Sequence, residues 1–131
     1  MIDEKTVKTD IVFMKYEKDM LFGKYLVRKL NLDVAQHVMD LQVKSFGKAV
    51  NYVITDLSNV KSVTKEARDY FSLPQFSEHV MAAAFIAPTF LHKLMYTFFL
   101  TFNKPVVPTA FFYNLQDATN WIEKHQKVQQ R

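Results

Sequence analysis

Residues 51–71, NYVITDLSNVKSVTKEARDYF, decide the fold of this chain. The stretch opens with a β-forming run at 52–54, passes through a polar corner at 56–59, and takes on a charged helical pattern from Thr64. This order predicts a strand, a loop and a helix. In an open α/β sheet, binding sites are usually built on the loop that follows the carboxyl end of a strand. We therefore expect the functional site at this corner.

The composition indicates one globular domain. The chain has 131 residues, of which 49% are hydrophobic and 23% are charged, so it has enough apolar material for a packed core. It has no cysteine, which excludes disulfides, thiolate nucleophiles and cysteine metal ligands. The first residues lack the apolar core of a secretory signal. We expect a cytoplasmic protein.

Charge and hydropathy exclude two classes of partner. The formal net charge is +4, but the basic residues are scattered and form no recognisable module, so we expect no nucleic-acid partner. The most apolar segment, 90–102, is interrupted by His92 and Lys93 and is shorter than the roughly 20 residues that span a bilayer. The sequence therefore predicts a protein that is not membrane-spanning.

The rest of the pattern alternates between strands and helices. The runs 9–16 and 20–27 flank a polar turn at 17–19 and predict a hairpin. Further strands are predicted at 51–56, 80–86 and 106–113. The first helix is predicted from an Asn31 cap to Phe46, with Gly47 at its end, and the second from Thr64 to before Pro74. A third helix is predicted at 90–102. The last begins after an Asn114 cap, and we expect it to fray from Lys124.

This order, ββαβαβαβα, predicts a single α/β domain with a mainly parallel central sheet, an antiparallel N-terminal hairpin strand and four helices. We place the domain at 9–127, between an N-terminal extension at 1–8 and a C-terminal tail at 128–131. We expect the hairpin strand at 20–27 to lie antiparallel to the parallel strands.

The corner Asp56, Leu57, Ser58 and Val60 resembles the D-L-S-G-V pattern of STAS domains, the family of the anti-sigma factor antagonists and of sulfate-transporter tails. Asn59 stands in place of the glycine. The chain from 10 to 123 is similar to small bacterial STAS-like proteins of the SpoIIAA-like and SEC14-like folds. The resemblance implies a regulatory interaction module of SpoIIAA-like fold.

In STAS domains a phosphorylatable serine or threonine lies at the start of the next helix. The resemblance leaves this role to Ser62 or Thr64, but the family's preceding aspartate and following glycine are absent, which implies a vestigial phospho-switch. Helix capping alone would explain Thr64, and turn formation would explain Asp56 and Ser58. The alternative is that these four residues form a loop that binds a partner or an anion.

The helix predicted at 90–102 has two apolar faces. Its broad face is expected in the core, whereas Phe90, Tyr96 and Leu100 fall on or near the opposite side. These three residues predict a homodimer interface or, alternatively, a ligand groove.

Recognisable enzyme and cofactor motifs are missing from the sequence. The four histidines lie on different predicted elements, and two glycines cannot form a dinucleotide-binding or phosphate-binding loop. We expect no metal, no cofactor and no catalytic residues. The leading hypothesis is a non-enzymatic module that binds a protein partner or itself. The alternatives are a carrier or sensor of a hydrophobic, lipid-like ligand and an enzyme with an unrecognised site.

Overall fold

The computed structural model describes residues 4–47, 50–76, 78–89 and 107–129. Its main sheet has six strands: β1 Glu4–Lys8, β2 Val12–Glu17, β3 Met20–Tyr25, β5 Tyr52–Asp56, β7 Ala82–Ile86 and β8 Thr109–Phe112. A small second sheet pairs β4 Lys29–Leu30 with β6 Ser62–Val63. The helices in these ranges are α1 Leu32–Phe46, α2 Lys65–Phe71 and α3 Leu115–Gln129, with a short 3₁₀ turn at Pro74–Phe76. The helix predicted at 90–102 lies outside the described residues.

The strand order in the main sheet is β1-β2-β3-β5-β7-β8. β2 is antiparallel to both β1 and β3, whereas β3, β5, β7 and β8 are mutually parallel. The predicted α/β class is confirmed, with a mainly parallel sheet and an antiparallel hairpin strand. The expectation that strand 20–27 is antiparallel to the others is wrong. Because α1 carries the chain from the end of β3 to the start of β5, those two strands must run in the same direction.

The hairpin turn between β2 and β3 consists of Lys18 and Asp19, whose φ angles are 52° and 60°. Positive φ at both positions of a two-residue loop matches the right-handed twist of the flanking strands. The Tyr16 hydroxyl donates to Asp19 Oδ1 at 3.0 Å, and Gln126 of α3 donates to the Lys18 carbonyl at 2.8 Å. The last turns of α3 therefore hold the turn of the hairpin.

Both ends of the described chain carry more structure than expected. β1 lies within the segment treated as an extension. The sequence of β1 is mostly polar, since only Val7 of this strand packs on the core, and the pattern therefore did not predict a strand. The Lys5 ammonium donates to the Ser45 carbonyl at 2.7 Å and lies 5.6 Å from the centre of the Phe46 ring. The expected fraying from Lys124 is wrong, since α3 remains helical to Gln129.

The helix caps were correctly predicted. Asn31 Oδ1 accepts from Val34 N at 3.0 Å, and Gly47 ends α1 with a φ of 81°. Asn114 Oδ1 accepts from Asp117 N at 2.9 Å at the start of α3. Local hydrogen bonding therefore sets the starts of α1 and α3.

Each face of the sheet has its own core. The face covered by α1 and α2, called the α1 face below, buries mainly large side chains: Val12, Met14, Leu21, Tyr25, Leu30, Val38 and Val60. The face covered by α3, called the α3 face, combines small and large residues: Tyr52, Ile54, Ala82, Ala84, Ile86, Ala118 and Ile122. Ile54 is 1% exposed in the central strand β5.

Candidate interaction surface at the carboxyl edge of the sheet

The polar corner begins where β5 ends. Asp56 Oδ1 accepts a hydrogen bond from Ser58 N at 2.8 Å, and Val60 N donates to the Leu57 carbonyl at 3.0 Å. An aspartate that bonds the backbone two residues later folds the chain into a tight turn. Val60 then enters the core at 0% exposure and anchors the far side of the turn.

The backbone conformation at Asn59 explains why the turn forms without the glycine of the STAS pattern. Among the described non-glycine residues, positive φ occurs only at Lys18 and Asp19, so position 59 does not need a glycine. The Asn59 amide instead donates to the Tyr25 carbonyl at 3.3 Å. This contact ties the corner to the end of β3.

Backbone hydrogen bonds hold the corner beside the loops that follow β7 and β8. Leu57 N donates to the Ile86 carbonyl at 2.9 Å, and Ala87 N donates to the Phe112 carbonyl at 2.9 Å. Beyond these bonds, Pro88 is exposed and Tyr113 is 63% exposed. Three adjacent loops therefore form a continuous edge with an accessible aromatic ring.

Thr64 lies at the start of α2 and acts as its N-cap. Its Oγ1 accepts from Ala67 N at 3.2 Å, while its own N–H donates to the Leu30 carbonyl at 3.0 Å. The predicted cap is confirmed. Because the hydroxyl oxygen is already engaged, it serves the local structure of α2.

Ser62 is in a different environment. It is exposed in β6, and within the described chain its hydroxyl takes part in no hydrogen bond. Lys29 is its neighbour across the ladder, and the Arg28 carbonyl accepts from both Lys61 N at 2.6 Å and Ser62 N at 3.2 Å. Arg28, Lys29 and Lys61 are all exposed, so cationic residues border the serine.

The structure thus places Asp56, Ser58, Ser62 and Thr64 along one run of chain at the carboxyl edge. The side chains of Asp56 and Thr64 accept hydrogen bonds from backbone N–H groups. Tyr113 was predicted only as the last residue of a strand, and its exposure at this edge was not expected. A tyrosine just before the Asn114 cap was the available signal. Phe90, Tyr96 and Leu100 lie outside the described residues, so the predicted interface or groove there stays a prediction.

The described residues contain no group of three or more histidine or acidic side chains able to hold a metal ion. Across the same ranges, every helix is too short or too polar to span a bilayer.

The fold is similar to those of two solved structures. An uncharacterised protein of the DUF3478 family from Shewanella loihica PV-4, described as having a SpoIIAA-like fold, superposes with a TM-score of 0.63 at 15% identity, covering 93% of this chain and 97% of that one. A Thermotoga maritima protein, provisionally described as an anti-sigma factor antagonist, gives a TM-score of 0.59 at 17% identity, covering 84% and 92%. The predicted SpoIIAA-like, STAS-like fold is confirmed.

Sequence comparison adds the family. No curated protein matches this chain. A family model matches residues 6–126, which include the strands from β2 to β8 and most of α3. The chain therefore belongs to the family described as domain of unknown function DUF7793.

Proposed function

We propose that this protein is a non-enzymatic regulatory module that binds a protein partner through the carboxyl edge of its sheet. The observation that carries the proposal is the continuous edge formed by the loops after β5, β7 and β8, with Tyr113 63% exposed. Accessible aromatic residues supply much of the energy at protein interfaces. The description of the Thermotoga maritima neighbour as an anti-sigma factor antagonist is in keeping with a regulatory role.

Two polar groups of the edge have structural roles. Asp56 Oδ1 accepts from Ser58 N, and Thr64 Oγ1 accepts from Ala67 N, so these side chains fix the turn after β5 and the start of α2. These residues shape the surface that a partner would contact.

Ser62 is the hydroxyl that we assign to modification or anion contact at this edge. It is exposed, whereas Thr64 caps a helix. A phosphate on Ser62 would carry about two negative charges beside Arg28, Lys29 and Lys61, which would stabilise the modified form. Modification would therefore offset most of the positive charge that these three residues give to the surface presented to the partner.

Site-specific photo-crosslinking in the cells that make the protein tests the binding surface. A photoreactive phenylalanine analogue at Tyr113 or Ser58 should give a discrete crosslinked product with another protein. The same analogue at Gln75, which is exposed on the 3₁₀ turn, is the matched control and should give none. Equal products from all three positions, or none from the edge positions, would contradict the proposal.

Intact-mass analysis of the protein from those cells tests the assignment of Ser62. We expect any added phosphate to disappear in Ser62→Ala and to persist in Thr64→Ser, which keeps a hydroxyl cap. Phosphate that persists in Ser62→Ala but is lost in Thr64→Val would reassign the modification to Thr64.

The homodimer and the hydrophobic ligand rest on the predicted helix at 90–102, which lies outside the described residues, so both stay predictions. The cytoplasmic location rests on the N-terminal sequence and the lack of cysteine, and it also stays a prediction. A cavity under α1 has a volume of only about 30 Å³, whereas even benzene occupies a cavity of about 150 Å³. That cavity does not favour a lipid-like ligand.

A further inference from the structure

The cavity under α1 lies on the α1 face, and Tyr25 and Thr55 place part of it near the carboxyl ends of β3 and β5. Strands β2, β3 and β5 form its floor, and Val38 and Gln42 of α1 form part of its roof. It is partly open to solvent and has a volume of about 30 Å³, which is room for about two water molecules.

A glycine in the middle of the sheet opens this cavity. Gly23 in β3 lies between Met14 of β2 and Thr55 of β5 in the strand register. A Cβ placed on Gly23 would lie 3.8 Å from Met14 Cγ, an ordinary van der Waals contact, so the protein leaves room for a side chain there. Glycine inside a strand often marks a place where a ligand approaches the backbone.

Three polar side chains line the same cavity. They are Tyr25, Gln42 and Thr55, and none of the hydrogen bonds among the described residues engages their side chains. Tyr25 is only 6% exposed, and burial raises its pKa well above the usual value, so its hydroxyl keeps its proton and can donate. The polar atoms of these three side chains are not sealed from solvent, so a molecule that enters the partly open cavity can form hydrogen bonds with them.

We propose that this cavity binds a small uncharged molecule that carries a hydroxyl or amide group, with about three non-hydrogen atoms to match its volume. Tyr25, Gln42 and Thr55 would hold the polar group, and Met14 and Val38 would contact the rest. Among the described residues, no charged side chain lines the cavity, so these residues would not compensate an ion of the same size for its lost hydration. The inference goes beyond the proposed function and does not depend on it.

The site is connected to the polar corner through the backbone. The Tyr25 carbonyl accepts from the Asn59 amide, and Thr55 directly precedes Asp56. Occupation of the cavity should therefore be visible at Asn59 as well as at Gly23 and Thr55.

Titration followed by amide NMR tests the site with formamide as the probe and formate, its charged near-isostere, as the control. Formamide should produce saturable shifts at Gly23, Thr55 and the Asn59 side-chain amide, and formate should produce none. Gly23→Ala, which fills the cavity, should abolish the saturable shifts while the protein stays folded. Thr55→Val, which removes one hydroxyl at constant shape, should weaken binding roughly threefold to tenfold, the value of one hydrogen bond.

Shifts that rise linearly without saturation would overturn the proposal and identify the cavity as a site for water alone. Equal saturation by formate, or saturation unchanged in both Gly23→Ala and Thr55→Val, would also overturn it, because neither the polar groups nor the cavity would then be needed.

Discussion

The two faces of the sheet are packed in different ways. The α3 face places Ala82, Ala84 and Ala118 in its core, all at 0% exposure, so α3 can lie close to β5 and β7. The α1 face has its alanines, Ala35 and Ala67, on the helices and larger side chains on its strands, yet it contains Gly23 and a cavity of about 30 Å³. Small residues give close packing on one face, whereas large residues around a glycine leave a gap on the other. The faces should therefore respond differently to added volume and charge.

The largest expected effect comes from a charge on the α3 face. Ile54→Asp would place a carboxylate at a site that is 1% exposed in the central strand. An unpaired buried charge costs several kcal/mol, against a total stability of about 5–15 kcal/mol for a domain. We expect loss of the cooperative thermal transition in circular dichroism. A cooperative transition at the parent's melting temperature would show that Ile54 is not buried in the core of the α3 face.

Added volume tests the close packing of the α3 face directly. Ala84 lies opposite Ile54 in the strand register and is fully buried. Ala84→Leu should therefore lower the free energy of unfolding by about 1–3 kcal/mol, the usual cost of overpacking. Urea denaturation measures this difference. Unchanged stability would mean that the α3 face also has free space.

Alkaline pH should destabilise the α1 face through Tyr25. Burial raises the pKa of this hydroxyl in the folded state, so above about pH 10 the unfolded chain loses its proton first. Stability should be unaffected below pH 10 and should fall above it by up to about 1.4 kcal/mol per pH unit. Urea melts at pH 9 and pH 11 should show a smaller fall for Tyr25→Phe. The same fall in both proteins would assign the effect to other tyrosines.

The cap of α2 affects only the α1 face, because Ala67 of this helix packs in that core. Thr64→Ala removes the acceptor for Ala67 N and should cost about 1 kcal/mol. Thr64→Asp can still cap and should cost much less. Paired thermal melts compare the two variants. Parent-like melting of Thr64→Ala would contradict the capping role.

The smallest expected effect is an increase in the free energy of unfolding, whereas Ala84→Leu should lower it. Gly23→Ala adds one methyl group to the cavity on the α1 face, at an ordinary contact distance from Met14. It should raise the free energy of unfolding by about 0.4–1 kcal/mol, because alanine also restricts the unfolded chain. Urea denaturation without ligand measures the change. Destabilisation would show that the α1 face is as tightly packed as the α3 face.

The features that the sequence predicted are those governed by local chemistry. The caps Asn31, Thr64 and Asn114 each bond a backbone N–H three residues later, and their residue types favour this role. The strand that became β5 was also found, since its apolar run is bounded by a polar corner. These features could be read without knowing what packs against them.

The features that were missed depend on distant parts of the chain. β1 has a mostly polar pattern and becomes a strand only by pairing with β2. The direction of β3 follows from the crossover through α1, and the cavity needs three strands and a helix to meet around Gly23. The exposure of Tyr113 likewise depends on how neighbouring loops end. Sequence patterns carry little information about such long-range arrangements.

The position of α3 in the chain has a consequence for synthesis. α3 supplies Ala118 and Ile122 to the α3 face and follows every described strand. During translation, the apolar surface of Tyr52, Ile54 and Ile86 therefore lacks the cover of α3 until this helix has left the ribosome. Nascent chains that expose such surface are prone to aggregate. We expect chaperones to contact the nascent protein at this face and to dissociate once α3 docks.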